Sequence, residues 1–182
     1  NTNNDGDTWY PDAISVRRGS QVNLRQSSIE SNPGLALKLY TNSSANFEDT
    51  KIKNNGEGLE AVLNSSIELN RGVTIEENGG SRLIRITKSA LVSGDCEGGS
   101  NVIRPSSASS GSGDSGQVGI KAYASTIWLC NIELSGFSAA IQASSNSQVG
   151  LKKVTLTQNT EEAVELSNNS SLWLEDSTVT YN

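Results

Sequence analysis

One pattern of apolar and polar residues occurs twice at the C-terminal end of the chain, between residues 147 and 182. Each copy begins with Ser, has apolar residues two, four and nine positions later, and has Asn twelve positions later. The copies start 23 residues apart, at Ser147 and Ser170. Self-similarity at such a period is typical of a solenoid, and apolar residues at every second position indicate β-strands. We therefore predict stacked coils of short strands.

The same block recurs along the chain from residue 13. Successive blocks start 22 or 23 residues apart, except for 37 residues between Lys88 and Ser125; the remaining starts are Ser20, Ser43, Ser65, Ser147 and Ser170. The excess lies in residues 93–117, which include the stretch SSASSGSGDSG, and such Gly/Ser tracts behave as flexible loops. We predict about seven coils of three strands each, one long loop at 93–117, and a pattern that resumes at Val118.

Composition and charge narrow the classes of partner. Only 34% of residues are hydrophobic, and this composition taken alone favours disorder. A solenoid, however, buries only a thin apolar stripe and needs fewer large apolar residues per coil. With a net charge of −6, we do not expect the chain to have a basic face that binds nucleic acid. It has no run of eighteen apolar residues, so we predict no membrane insertion. We expect one domain, with a polar extension at 1–12 and a solenoid at 13–182 that is a segment of a longer chain.

The extension matches part of a calcium-loop spacing. Oxygen-bearing residues and a glycine fall at positions 1, 3, 5, 6, 7 and 12 of such a loop, namely Asn1, Asn3, Asp5, Gly6, Asp7 and Asp12. Two of the usual carboxylates are Asn, and the flanking helices are missing. We favour a polar terminus without a cofactor, with calcium at Asp5, Asp7 and Asp12 as the alternative.

Asn recurs at one repeat position, twelve residues after the block start, at Asn32, Asn55, Asn78, Asn159 and Asn182. With three strands per turn, residues 13–182 resemble the right-handed parallel β-helix repeats of pectate-lyase-like enzymes, phage tailspikes and bacterial surface adhesins. The resemblance implies an all-β, single-stranded parallel β-helix in which Asn side chains stack as a ladder at a short turn. Asn also tolerates the left-handed conformation that a tight turn needs.

Charged residues test the register that this repeat predicts. Equal positions of adjacent parallel coils lie about 4.8 Å apart, where opposite charges attract and like charges repel. The predicted register joins opposite charges in Arg25–Glu48, Asp49–Arg71, Lys38–Glu60, Lys152–Glu175 and Lys153–Asp176.

The candidate catalytic chemistry is sparse. The chain has no His, which excludes Ser–His–Asp triads. Enzymes of the fold that it resembles use carboxylates, often with calcium and a basic residue, on the outer face of the strand that follows the block-start Ser. On that face Glu48 and Glu68 come closest to a carboxylate pair, although acids there are scattered and mostly beside cations. We expect no catalysis in this segment and keep Glu48 and Glu68 as the candidates.

The two cysteines, Cys96 and Cys130, bracket the long loop. They are too few for a structural zinc site. In a secreted or surface-exposed protein a disulfide between them is expected, and two free thiols are the alternative.

The sharpest functional hypothesis concerns Trp128 and Trp173. Both lie three positions after a block start, between two inward residues, so alternation points their rings outward. They lie two coils apart, about 10 Å by strand spacing, with Gly150 in the coil between. Two indoles across such a gap would suit stacking against alternate sugars of an extended glycan. A second subunit or the 93–117 loop is the alternative occupant.

The leading interpretation is a non-catalytic, extracellular or virion-borne scaffold that binds a polysaccharide or cell-surface glycan. One alternative is a polysaccharide lyase or hydrolase with catalytic residues partly outside this segment. Another is a structural filament or coat subunit, with homotrimer or filament contacts.

Overall fold

The structure, a computed structural model, describes residues 10–94, 96–105, 116–180 and 182. Within these ranges the chain forms short strands, and no helix is long and apolar enough to cross a membrane. The strands are β1 Ile14–Arg17, β2 Gln21–Arg25, β3 Ser28–Glu30, β4 Leu35–Tyr40, β5 Ser44–Glu48, β6 Lys51–Lys53, β7 Glu57–Val62, β8 Ser66–Leu69, β9 Thr74–Glu76, β10 Arg82–Thr87, β11 Ala90–Ser93, β12 Asn101–Ile103, β13 Val118–Tyr123, β14 Thr126–Cys130, β15 Ile132–Ser135, β16 Ile141–Ser144, β17 Gln148–Lys152, β18 Thr155–Thr157, β19 Val164–Leu166, β20 Ser171–Glu175 and β21 Thr178–Thr180.

These strands form three parallel sheets of seven strands each. Every coil contributes one strand to each sheet, and each strand pairs with its equivalents in the neighbouring coils. Sheet A contains β1, β4, β7, β10, β13, β16 and β19; sheet B contains β2, β5, β8, β11, β14, β17 and β20; sheet C contains β3, β6, β9, β12, β15, β18 and β21. The predicted all-β parallel solenoid of about seven coils is confirmed.

The core is one continuous apolar column enclosed by the three sheets. In β5 and β14 the inward residues Ala45, Phe47, Ile127 and Leu129 are at most 2% exposed, as period-two alternation requires. Each fully buried side chain of this size stabilises the fold by about 1.5–3 kcal/mol. In the seventh coil the inward Leu174 is 46% exposed.

The Asn column forms hydrogen bonds between coils. The Asn55 side-chain amide donates to Oδ1 of Asn78 (2.8 Å), and the Asn55 backbone N–H donates to the same oxygen (3.0 Å). Asn159 and Asn182 repeat this arrangement, at 2.6 and 3.3 Å. In the fifth coil Phe137 replaces Asn, and its backbone N–H donates to Asn159 Oδ1 (3.2 Å).

In the four Asn turns whose preceding residue the structure describes, the left-handed residue is the one before the column, so the conformational reason given for Asn is wrong. The φ angles there are between 53° and 58°, at Ser31, Asn54, Glu77 and Gln158. The column position instead provides an amide that satisfies carbonyls of its own coil and of the preceding one. Asn55 Nδ2, for example, also donates to the carbonyls of Ile29 (2.9 Å) and Lys53 (3.1 Å).

A second ladder was not predicted, although its signal was the Ser that starts each block or, in the fourth coil, follows the start at Lys88. Each hydroxyl donates to a carbonyl two or three residues earlier, and all of them except that of Ser43 accept from the backbone N–H of the equivalent Ser in the preceding coil. Ser147 Oγ, for example, donates to Ser144 O (2.6 Å) and accepts from Ser125 N (3.1 Å). The ladder residues are Ser43, Ser65, Ser89, Ser125, Ser147 and Ser170.

The predicted long loop at 93–117 is wrong in one respect, because a strand lies inside it. β12 pairs in parallel with β9 and β15, so the fourth coil is complete. The extra residues therefore form two insertions, one between β11 and β12 and one between β12 and β13. The pattern resumes at Val118 as predicted, and just before it the Gln117 side chain donates to the carbonyls of residues 78, 79 and 80.

Candidate functional site

The candidate site lies on the outer face of sheet B, where outward residues of successive coils stack in register. In the first coils this column is polar and includes Asn46 and Glu68, whereas in the fifth to seventh coils it is Trp128, Gly150 and Trp173. The face therefore changes from a polar surface to an aromatic one along the solenoid.

Trp128 and Trp173, which we call the indole pair, contact each other directly. Their ring centroids lie 5.2 Å apart and their planes differ by 14°, so the rings are stacked. The predicted gap of two coil spacings is wrong, because the side chains lean together across Gly150. Trp128 and Trp173 nevertheless remain 38% and 44% exposed. The two rings form one aromatic surface instead of two separated ones.

Gly150 makes this stack possible because it has no side chain. A Cβ atom at this position would lie 2.2 Å from Cε3 and 2.4 Å from Cζ3 of Trp128. Gly150 is a strand residue without a positive φ, so the requirement for glycine is one of space. Any larger residue would displace the Trp128 ring.

A disulfide attaches the segment that follows β11 to β14, the strand that carries Trp128. Cys96 and Cys130 are bonded, with their Cα atoms 5.1 Å apart, which confirms the predicted bridge. By the alternation of β14, Cys130 is at an outward-facing position, but its side chain is fully buried. The segment that follows Cys96 is also attached by a hydrogen bond from Asn131 Nδ2 to the carbonyl of Gly98 (2.6 Å). Such a disulfide is typical of proteins from oxidising compartments.

The two candidate catalytic carboxylates have different partners. Glu48 accepts from Arg25 Nε (3.1 Å) and from Arg71 Nη2 (2.9 Å), one guanidinium on each carboxylate oxygen. Glu68 accepts from the side-chain amide of Asn46 (3.3 Å). Because both oxygens of Glu48 are engaged by cations, it is poorly placed to transfer a proton or to attack a sugar.

The calcium hypothesis falls mostly outside the described residues, since Asp5 and Asp7 lie there. Asp12 is partly buried, and desolvation raises the pKa of its carboxyl, while Lys38 and Arg17 lower it. These neighbouring cations would repel a metal ion. Among the described residues no group of three or more Cys, Asp or Glu side chains could hold a metal.

The predicted charge register produces ion pairs between coils. Nitrogen–oxygen distances are 3.1 Å in Arg25–Glu48, 2.9 Å in Lys38–Glu60, 3.8 Å in Arg71–Asp49 and 2.8 Å in Lys152–Glu175. The hydrogen bond to Glu175 raises the pKa of Lys152. These pairs confirm the register that the repeat predicts. No ion pair joins the exposed Lys153 to Asp176.

Comparison of the chain with protein-family models, with curated proteins and with solved structures finds no match. The fold and the side chains described above are therefore the basis for any functional conclusion.

Proposed function

We propose that this β-solenoid is a non-catalytic, extracellular or virion-borne scaffold that binds carbohydrate through the indole pair. The observation that carries the proposal is a stacked, exposed pair of tryptophans on the outer face of sheet B. An exposed aromatic surface of this kind marks a binding site more often than isolated surface apolar residues do.

The chemistry of the indole pair suits a sugar ring. The face of an aromatic ring carries partial negative charge, and the axial C–H groups of a pyranose present a complementary, weakly positive apolar face. Because Trp128 and Trp173 stack on each other, one face of each ring is covered by its partner, and we propose that a single sugar residue contacts an outer face of the stack. This replaces the hypothesis of alternate sugars across a gap.

Two further features support a scaffold over an enzyme. Glu48 is neutralised by two arginines, and Glu68 bonds to an amide, so sheet B offers no evident carboxylate pair of the kind that glycosidases use. The Cys96–Cys130 disulfide accords with an extracellular or virion surface. The likeness to pectate-lyase-like, tailspike and adhesin repeats supports the same environment. A depolymerisation assay on acidic polysaccharides tests the lyase or hydrolase alternative.

Tryptophan fluorescence tests the proposal directly. All samples carry Trp9→Phe, so that only the indole pair contributes indole signal. We titrate with the neutral oligosaccharides cellohexaose and xylohexaose and expect at least one to shift the emission of the parent. Trp128→Ala and Trp173→Ala should each abolish that shift and the binding measured by calorimetry.

Gly150→Ala provides the matched control, because it keeps both indoles but pushes on Trp128. We expect it to weaken binding and to reduce the exciton couplet that stacked indoles give in circular dichroism. If the Ala variants bind as well as the parent but change the oligomeric state in light scattering, the pair is a subunit interface and the carbohydrate proposal fails.

A further inference from the structure

A second feature lies on the outer face of sheet A, away from the indole pair. Among the paired strand residues that the structure describes, charged residues in register have opposite signs, with one exception. Arg85 of β10 lies directly beside Lys121 of β13. Every other charged neighbour pair combines an acid with a base, as in Arg25–Glu48, Lys53–Glu76 and Lys152–Glu175.

Two like charges side by side on a sheet destabilise it, and here the repulsion is only partly relieved. Glu60 bonds to Arg85 (3.1 Å), but its other oxygen bonds to Lys38 (2.9 Å), so one acid serves two bases. Lys121 is exposed and makes no ion pair or side-chain hydrogen bond with the described residues, and neither does Arg82. The local excess of positive charge lies on a chain whose net charge is −6.

These cations line an open depression, which we call the basic cleft. It has a volume of about 350 Å³. Its lining consists of two apolar residues and of Arg82, Arg85, Thr87, Lys121, Tyr123 and Ser144. Tyr123 is 50% exposed and lies in register with Thr87. The cleft thus combines three positive side chains, an aromatic ring and three hydroxyl groups, one of them the phenol of that ring.

The basic cleft continues into a smaller neighbour along the solenoid axis. This second depression has a volume of about 140 Å³ and shares Lys121 and Ser144 with the first. Its far end is lined by Gln142, Glu165 and Ser167, so the positive charge is confined to one end. The two depressions are therefore adjacent, and a group bound in the first would have polar side chains of the second beside it.

We infer that the basic cleft binds an anionic group, a carboxylate or a sulfate, carried by an acidic polysaccharide. Arginine and lysine engage such oxyanions through charge-assisted hydrogen bonds. Tyr123 supplies a ring face for the sugar, and Gln142 and Ser144 supply hydrogen bonds for a neutral neighbouring sugar. The protein's overall negative charge repels acidic polymers elsewhere, so binding would be local. The site is independent of the indole pair, which lies on sheet B.

Calorimetry with defined oligosaccharides tests the inference. Hexagalacturonate carries carboxylates, a dextran sulfate oligomer carries sulfates, and maltohexaose is the neutral reference. We expect one or both acidic probes to bind, maltohexaose not to bind, and the affinity to fall as NaCl is raised. The stronger of the two acidic probes identifies which oxyanion the cleft prefers.

Three variants that each remove one positive charge locate the site. Lys121→Gln and Arg82→Gln should each weaken binding of the acidic probe by about tenfold, which is the loss of one charge-assisted contact. Lys51→Gln, on sheet C, removes the same charge from another face and should bind as the parent does. Lys121→Gln should unfold at the same temperature as the parent or higher, because it removes a like-charge neighbour.

Several outcomes would overturn the inference. One is that neither acidic oligosaccharide binds, and another is that Lys121→Gln and Arg82→Gln bind as tightly as Lys51→Gln. Tighter binding of hexaglutamate than of either acidic oligosaccharide would show that the cleft selects anionic peptides instead of acidic glycans. A fall in melting temperature in both cleft variants would assign these cations a structural role. Trp128→Ala should bind the acidic probe at the cleft as the parent does, which separates this result from the proposed function.

Discussion

The first three coils and the fifth coil share one backbone arrangement but differ in what their turns and outer faces carry. In the first three, Asn32, Asn55 and Asn78 link successive turns through hydrogen bonds. In the fifth coil Phe137 replaces the ladder Asn, and Cys130 bonds to the insertion of the fourth coil.

The outer faces differ in the same way. The outward residues of the first three coils are mostly polar and charge-matched, whereas the fifth coil presents Trp128 on sheet B and Lys121 beside Arg85 on sheet A. Parallel strands pair through backbone groups, so a coil keeps its place in the stack as long as its inward residues stay apolar. The outward residues that differ between the coils are therefore not required by the fold, and we expect binding to occur at these residues.

Phe137→Asn tests whether the departure in the fifth coil is structural, and it should have the largest effect. It restores the Asn of the column but removes a side chain that is 1% exposed. We expect a loss of about 3–5 kcal/mol in the free energy of unfolding, as for truncation of a buried Phe. Urea denaturation measures it, with Phe137→Leu as a milder control. Stability equal to that of the parent would mean that the restored amide offsets the lost packing.

Replacing both cysteines, Cys96→Ala with Cys130→Ala, should have the next largest effect. The bridge closes a loop with a sequence separation of 34 residues, for which chain entropy predicts a contribution of about 3–4 kcal/mol. Denaturation of the double variant and of the reduced parent should agree. Alkylation of two thiols in the parent without reductant, detected by intact mass, would contradict the bridge.

Asn55→Leu tests the ladder in the regular coils. It removes the side-chain donor to Ile29 O, Lys53 O and Asn78 Oδ1 and the acceptor of the Asn32 backbone N–H. We expect a loss of about 1–3 kcal/mol.

The matched control for that ladder variant is Asn54→Gly, one residue earlier. Asn54 is exposed and has a φ of 55°, which glycine adopts without strain. Thermal unfolding of both variants decides the matter. If Asn55→Leu has the same melting temperature as the parent whereas Asn54→Gly has a different one, the turn conformation and not the amide stabilises this turn.

Arg25→Gln removes a cation that lies beside an acid, whereas Lys121→Gln removes one that lies beside another cation. These two substitutions should have the smallest effects on stability. Arg25 is exposed and shares Glu48 with Arg71, so its loss should cost about 0–1 kcal/mol. Lys121→Gln should leave the free energy of unfolding unchanged or increase it. Chemical denaturation at low and high salt measures both, and a larger loss for Lys121→Gln would contradict the repulsion at Arg85.

The coil count and the register could be predicted because they depend on backbone periodicity. Residues such as Phe47 and Leu129 alternate at period two, and Arg25 and Glu48 occupy equal positions of adjacent coils. β12 was missed because the insertion before it breaks the spacing on which the prediction depends. The Arg85–Lys121 contact was missed for the same reason, since the enlarged fourth block separates the two residues.

The sequence by itself determined the parallel solenoid, the repeat positions that face inward and the Asn column. These follow from spacing, which an extended and stacked backbone converts directly into position. Only the tertiary structure decided that Trp128 and Trp173 touch across Gly150, that Glu48 is held by two arginines, and which turn residue is left-handed. Spacing places a Cα atom, whereas the direction of a side chain depends on the space that its neighbours in other coils leave free.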